Sequence, residues 1–351
     1  MKNWKKISIA CACLLFMTAC SNKNQDTQNQ EQTKVEETNQ AQNTQTNQKE
    51  ETAQDQKNSE KKTVYTSFYP MEYMTSRIAG DRLNVIGLMP TGMEVHDWEP
   101  AAKDVADLTK ANLLVINGLE LEGWLDDVQG ELKDTKIVDT SESIDLIEAD
   151  HDHEEGEDEH HEEEAKEEDH DEHEHDHHHG KYDPHVWISP KQARVQAKNI
   201  YDAIVEMDPD NKDAYTENYQ ALDKELEEID KAYEKELAAK ENKYIIVPHE
   251  AFGYLARDYG LEQVPMEGIN SESEPDLNKM KELTDLAKEK NIKTVFYEAG
   301  GSDKAAQTLA GEIGGQAAPI STMESKTQDV IDGKDDYIKM LKDNLENIKK
   351  A

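Results

Sequence analysis

The chain reads as an α/β protein with two lobes, each carrying a mostly parallel sheet, joined by one long backbone helix. Three observations lead there. From about residue 63 onward, short runs of branched and aromatic residues alternate with helical patterns, and such alternation lays strands parallel through crossover helices. The alternation occurs twice, within 63–209 and again within 241–351. Between them, Tyr215, Tyr219, Leu222, Leu226, Ile229, Tyr233 and Leu237 recur every three or four residues, the stripe of a single amphipathic helix over about 210–240. About 30 helical residues span roughly 45 Å, longer than one small lobe, so both lobes can share this helix.

The elements follow in order. Lys2, Lys5 and Lys6 precede an apolar stretch, Ile7 to Phe16, too short to span a bilayer. Met17-Thr18-Ala19-Cys20 then looks like a lipobox, so residues 1–19 are expected to be a lipoprotein signal peptide and Cys20 to carry the lipid. Cys11 and Cys13 would leave with the signal, and no thiol would remain for a disulfide or a metal. Residues 20–62 are polar and almost free of branched aliphatics. Such a segment cannot offset its ordering entropy by burial and is expected to be a flexible tether, roughly 35–40 Å end to end.

In the first lobe, Val64 to Phe68 reads as a strand. Pro70 suits the first turn of a helix carrying Met71, Met74 and Ile78, with Gly80 as its cap. Val85 to Met89, Leu113 to Ile116 and Lys136 to Asp139 read as further strands, and Pro100 opens a helix with Ala101, Val105 and Leu108 on one face. Residues 148–180 break the pattern with a run of Glu, Asp and His. Order resumes at Tyr182, and Ser189-Pro190 starts a helix striped by Ala193, Ala197, Ile200 and Ile204. In the second lobe, Tyr244 to Val247, Thr294 to Tyr297 and Ala317 to Ser321 read as strands. Ser273-x-x-Asp276 resembles a capping box before a helix with Met280, Leu283 and Ala287. Asp303 to Ile313 and a C-terminal segment with Tyr337, Met340, Leu341, Leu345 and Ile348 complete the helices.

The formal charge is −38, and loss of residues 1–19 would deepen it by removing lysines and no acid. That field repels nucleic acid and anionic lipid and attracts cations. Any hold on a membrane must therefore come from the lipid.

Outside the acidic run only His96, His185 and His249 remain. Each sits in a loop beside an expected strand or helix end: Glu94-Val95-His96-Asp97-Trp98-Glu99-Pro100, Asp183-Pro184-His185-Val186-Trp187 and Pro248-His249-Glu250. Ligands of open α/β sheets bind beyond the carboxyl ends of strands. A lone histidine in such a loop is more often structural, but all three in this position point to a shared site. Imidazole suits Zn²⁺, which takes four ligands as a tetrahedron. A carboxylate can be the fourth. Glu324, beyond the strand ending at Ser321, and Glu298, beyond Tyr297, are the competitors.

At these residues the chain resembles the metal-binding (cluster A-I) substrate-binding proteins of ABC transporters, in their zinc branch. The likeness covers about residues 63–351. It rests on Val95-His96-Asp97-Trp98-Glu99-Pro100, on Asp183-Pro184-His185-Val186-Trp187, and on His249-Glu250-Ala251-Phe252-Gly253-Tyr254 with Asp258-Tyr259-Gly260-Leu261. Phe296-Tyr297-Glu298 and the Met323-Glu324-Ser325 turn add to it. The resemblance implies one zinc site between the lobes, formed by His96, His185, His249 and Glu324, with Glu298 an interior carboxylate. In some zinc members water takes the fourth place. In manganese members the third position is typically a carboxylate, so His249 implies zinc. An ABC permease as partner, a monomer, and a position on the outer face of a bacterial cytoplasmic membrane are also implied.

The acidic run holds His151, His153, His160, His161, His170, His173, His175, His177, His178 and His179. Zinc members often carry such a loop between the first and second ligand, which makes it an expected auxiliary zinc-gathering segment. Two other functions compete. A zinc hydrolase could use Glu250 as base, but outside the acidic run the sequence has no His-Glu-x-x-His helix, and four protein ligands would close the position that catalysis needs. A surface adhesin could use the same anchor and metal. The expectation is a zinc carrier and not an enzyme.

Overall fold

The computed structural model describes residues 61–149, 180–269 and 275–351. The expected signal peptide, Cys20, the tether up to residue 60 and all the histidines from His151 to His179 lie outside the described residues.

The first lobe is β1 (Thr63–Thr66), α1 (Tyr69–Ala79), β2 (Asn84–Gly87), α2 (Ala102–Leu108), β3 (Leu113–Ile116), α3 (Leu125–Val128) and β4 (Lys136–Asp139), then a 3-10 turn Val186–Ile188 and α4 (Pro190–Met207). The long helix is α5 (Lys212–Ala238). The second lobe is β5 (Tyr244–Val247), α6 (Gly253–Tyr259), β6 (Glu262–Pro265), α7 (Leu277–Glu289), β7 (Thr294–Glu298), α8 (Lys304–Ile313), β8 (Gln316–Ile320), α9 (Gln328–Ile331) and α10 (Tyr337–Ile348).

The two sheets have the same plan. Their strand orders are β2-β1-β3-β4 and β6-β5-β7-β8, and every pairing is parallel. Strands covered on both faces need continuous apolar runs, and β3, Leu-Leu-Val-Ile, is buried at every position. Strand order reverses at β1/β3 and at β5/β7, which opens a crevice at the carboxyl end of each sheet.

Several local expectations shift. The strand expected to reach Phe68 stops at Thr66, because Phe68 takes the N-cap position of α1. Asp276 is not the N3 residue of a capping box led by Ser273. It is itself the N-cap of α7, its carboxylate accepting the Lys279 N–H at 2.7 Å.

The helix α5 ties both lobes together. Its 27 residues span about 40 Å at ~1.5 Å per residue. Near its start the Asn218 side chain donates to the Ile78 carbonyl at 3.0 Å, and Glu225 pairs with Arg77 at 2.9 Å, both in the first lobe. Near its end the Tyr233 hydroxyl donates to the Leu341 carbonyl at 2.6 Å in the second lobe. Leu222, Leu226, Tyr233 and Leu237 are fully buried. One apolar core runs from Val64 and Leu113 through these residues to Val247, Phe252, Ile320 and Leu341, with a separate cluster on the other face of the second sheet. The lobes thus belong to one compact unit. Among the described residues no helix is long and apolar enough to cross a membrane.

Candidate metal centre

His96, His185, His249 and Glu324 come together in the crevice between the sheets, their candidate ligand atoms all within 4.8 Å of one another. Each arrives on a loop that follows a strand or leads into a helix. His96 lies beyond β2, His249 two residues beyond β5, and Glu324 four residues beyond β8. His185 leads into the 3-10 turn before α4. The loops carry these side chains because the parallel strands point all their carboxyl ends to one side.

The geometry fits one small ion. His185 Nε2 stands 3.2 Å from His96 Nε2. Glu324 Oε1 stands 3.3 Å from His249 Nε2, 3.5 Å from His185 Nε2 and 3.9 Å from His96 Nε2. Donors ~2.0–2.1 Å from a tetrahedral centre lie roughly 3.3–3.4 Å apart, so these edges are close to those of a zinc tetrahedron. His249 Nε2 and Glu324 Oε1 are buried without a hydrogen-bond partner. Orphaned polar atoms are costly unless something else satisfies them, and a cation between them does so.

Surrounding groups aim the donors. The Asp183 carboxylate accepts both the His185 backbone N–H at 2.9 Å and Nδ1 at 2.8 Å. This places the proton on Nδ1 and turns Nε2 toward the centre, the usual role of a carboxylate behind a metal-binding histidine. Gly253 makes room for it, because a Cβ there would stand 2.5 Å from Asp183 Oδ2. Tyr254 steadies the same segment by donating to the Asp183 carbonyl at 2.8 Å.

Charge is arranged for a cation. Burial alone would depress His185, but its hydrogen bond to Asp183 and the attraction of Asp183 and Glu324 outweigh it and hold this imidazole up at about 9. Burial likewise opposes ionisation of Glu324, yet the three imidazoles pull it well below the usual carboxylate range. Without metal, a proton on His185 therefore stands where a cation would. Glu298 behaves oppositely. Burial, then the negative charge of Glu324, push it well above the ordinary range, and its oxygens accept the Thr322 N–H at 3.0 and 3.3 Å. It is the last residue of β7 and supports the Glu324 turn from behind. Burial and Glu324 raise Glu94 as well.

The centre separates two cavities. One, of about 700 Å³, is lined by His249, Glu324, Glu298 and Glu94. The other, of about 930 Å³, is lined by His96, Trp98, Trp124 and Glu122. His185 is fully buried, whereas the His96 side chain keeps 11% of its surface exposed. Sequence reasoning placed no role on Asp183, Trp187 or Gly253. The short Asp183-Pro184-His185 spacing was the available signal for the first.

The chain is 35% identical over 350 residues to the high-affinity zinc uptake system protein ZnuA of Bacillus subtilis (strain 168), covering 99% of this chain and 97% of that one. It is 31% identical over 357 residues to the zinc-binding lipoprotein AdcA of Streptococcus pneumoniae R6, covering 99% of this chain but only 61% of AdcA. The Zn(II)-bound ZnuA-like domain of Streptococcus pneumoniae AdcA superposes with a TM-score of 0.68 at 30% identity, covering 83% of this chain and 98% of that domain. The laminin-binding protein Lmb of Streptococcus agalactiae, described as bifunctional with adhesin and metal-transporting activity, gives 0.68 at 30% identity over 82% of this chain and 98% of its own. Residues 64–351 match the family described as zinc-uptake complex component A, periplasmic, and the chain belongs to that ZnuA family.

Proposed function

We propose that this protein captures Zn²⁺ outside the cell and delivers it to the membrane components of an ABC importer. Zinc is the cargo, held by His96, His185, His249 and Glu324. The observation that carries this reading is a set of three imidazoles and one carboxylate, all but His96 buried, at tetrahedral spacing. Mn²⁺ prefers oxygen ligands, and a donor set dominated by imidazole favours zinc over it. The protein is a carrier and not an enzyme, because four protein ligands leave no open position for an activated water. It works as a monomer, anchored to the outer face of the membrane through Cys20, with residues 150–180 gathering zinc near the cleft. Family membership supports the partnership with importer components.

Metal content of the purified protein, followed by competition with a zinc chelator, tests the site. Wild type should hold one zinc tightly, and His249→Ala should not. Unchanged affinity in that variant, or tighter binding of Mn²⁺ than Zn²⁺ by wild type, would refute the assignment.

A second reading, a zinc-dependent adhesin, is favoured by the likeness to Lmb. Deletion separates the two: a carrier is needed for growth when zinc is scarce, and an adhesin is not.

A further inference from the structure

We infer that Trp187 is a positioning residue through which the first lobe holds the Glu324 turn, and that this contact keeps the zinc four-coordinate. The inference rests on the assignment of Glu324 as a zinc ligand.

The turn is bound from two sides. On its own side, Asn344 brackets Ser321, its side chain accepting the Ser321 N–H at 2.8 Å and donating to the Ser321 carbonyl at 2.7 Å. Glu298 accepts the Thr322 N–H, and Ser321 Oγ accepts the Met323 N–H at 3.1 Å. Met323 then takes φ +61°, a left-handed conformation that a residue with a Cβ adopts only at a steric cost. Such a conformation persists only where surrounding contacts over-determine it. From the other side, the Trp187 indole N–H donates to the Thr322 carbonyl at 2.7 Å.

The contacts from the second lobe fix Glu324 relative to its own sheet and to His249. They do nothing to fix it relative to His185, which sits on the other lobe. Trp187 does, because it is two residues from His185 and its ring lies 5.3 Å from the imidazole. Trp187 is itself immobilised. It is fully buried, packs edge-on against Phe68 at 4.7 Å, and its carbonyl accepts the Tyr337 hydroxyl. One rigid side chain therefore spans the gap between the fourth donor and the most buried imidazole. Besides the imidazoles of His185 and His96 at the Glu324 carboxylate itself, the first lobe reaches residues 321–326, among the described residues, through the part-exposed pair of Lys326 with Glu72, on a flexible stem that sets no geometry at Thr322.

The test is a double-mutant cycle on the full-length chain, read by chelator competition and by Co²⁺ absorption. Trp187→Phe keeps an aromatic ring against Phe68 and removes the N–H. In an otherwise wild-type chain it should weaken zinc binding about tenfold, the loss of one well-placed bond to a buried carbonyl. It should also lower the intense visible bands of four-coordinate Co²⁺ toward those of Glu324→Ala. In the Glu324→Ala background the same substitution should change affinity less than about twofold, since there is no fourth donor left to position. Equal losses in both backgrounds would mean a merely structural role and overturn the inference. So would no loss in either.

Indole N–H exchange gives a readout that requires no change at position 187. Zinc should slow exchange of the Trp187 indole proton in wild type and fail to do so in Glu324→Ala, because coupling between the two is reciprocal. Equal slowing in both would also overturn it. If Glu324→Ala matches wild type in affinity and in Co²⁺ spectrum, the ligand assignment itself falls, and the inference with it. If Glu324→Ala differs and Trp187→Phe does not, only the inference falls.

Discussion

The loops carrying His185 and His96 reach the same point by different physics. The His185 loop is held by polar bonds at almost every step: Asp183 to the imidazole, Tyr254 to the Asp183 carbonyl, Asn117 to the Pro184 carbonyl at 2.9 Å. Asn117 is in turn fixed by Gln196 at 2.9 Å, and Glu122 accepts its backbone N–H at 2.8 Å. The His96 loop has no such frame. Among the described residues no backbone–backbone hydrogen bond holds residues 94–100. It is pinned instead by two apolar side chains, Val95 and Trp98, the latter edge-on to Trp124 at 5.9 Å. Hydrogen bonds fix direction, whereas apolar contacts fix position but permit sliding. His185 is thus preset for the ion, and His96, the more exposed of the two, is the arm that can adjust.

That contrast can be broken in several ways. The largest effect should come from removing the preset donor. His185→Ala should weaken zinc by more than about a hundredfold, since losing even a supporting outer partner costs ~10–100-fold. His96→Ala should cost less, because part of its binding energy goes into ordering its own loop. Chelator competition on both variants checks the order, and equal losses would erase the distinction.

The next effect is of pH. His185 is held up at about 9 by Asp183 and Glu324, above the ~6.5 of free imidazole. Without metal, its contribution to stability is complete below about 6.5 and is lost as pH rises through about 9. Zinc must displace that proton. Apparent affinity should therefore climb up to about tenfold per pH unit, levelling near 9. A plateau already at pH 7, in competition measured from pH 6 to 9.5, would contradict this.

A smaller effect tests the frame without touching a donor. Gly253→Ala places a methyl against Asp183 and should push this carboxylate off His185, weakening zinc about 10–100-fold while leaving the helix content by circular dichroism unchanged. Wild-type affinity in that variant would show that the Asp183 contact does not aim the ring. Smallest of all should be Lys326→Met. Its pair with Glu72 is part-exposed, and such pairs contribute at most about 1 kcal/mol, so zinc affinity should change less than about fivefold.

The sequence reveals the histidine set because only three histidines stand outside the acidic run and each adjoins an element end. It cannot choose between Glu298 and Glu324 by residue type. The choice depends on a turn through Met323 at positive φ, which aims one carboxylate at the imidazoles and leaves the other behind Thr322. The long helix is legible from its stripe. β6, Glu-Gln-Val-Pro, passes unnoticed because it is a short polar edge strand ending in proline, where strand preference is weakest. α6, with seven residues and no side-chain cap, gives no periodic signal either. Asp183 escapes notice because a carboxylate behind a histidine is visible only once the loop is folded.

The single core threaded by α5 bears on how the ion leaves. Val64, Leu226, Phe252 and Leu341 share one apolar body, so the lobes cannot gape without wetting it, at about 2.5 kcal/mol for each ~100 Å² opened. Spontaneous leakage back into the medium is therefore an activated event, and a loaded carrier does not empty on its own. The same barrier means that unloading needs work from outside. A receiving surface that binds the strained, parted form more tightly than the resting one supplies that work only at the point of contact. Discharge is then confined to the importer by energetics, with no trigger needed inside the carrier itself.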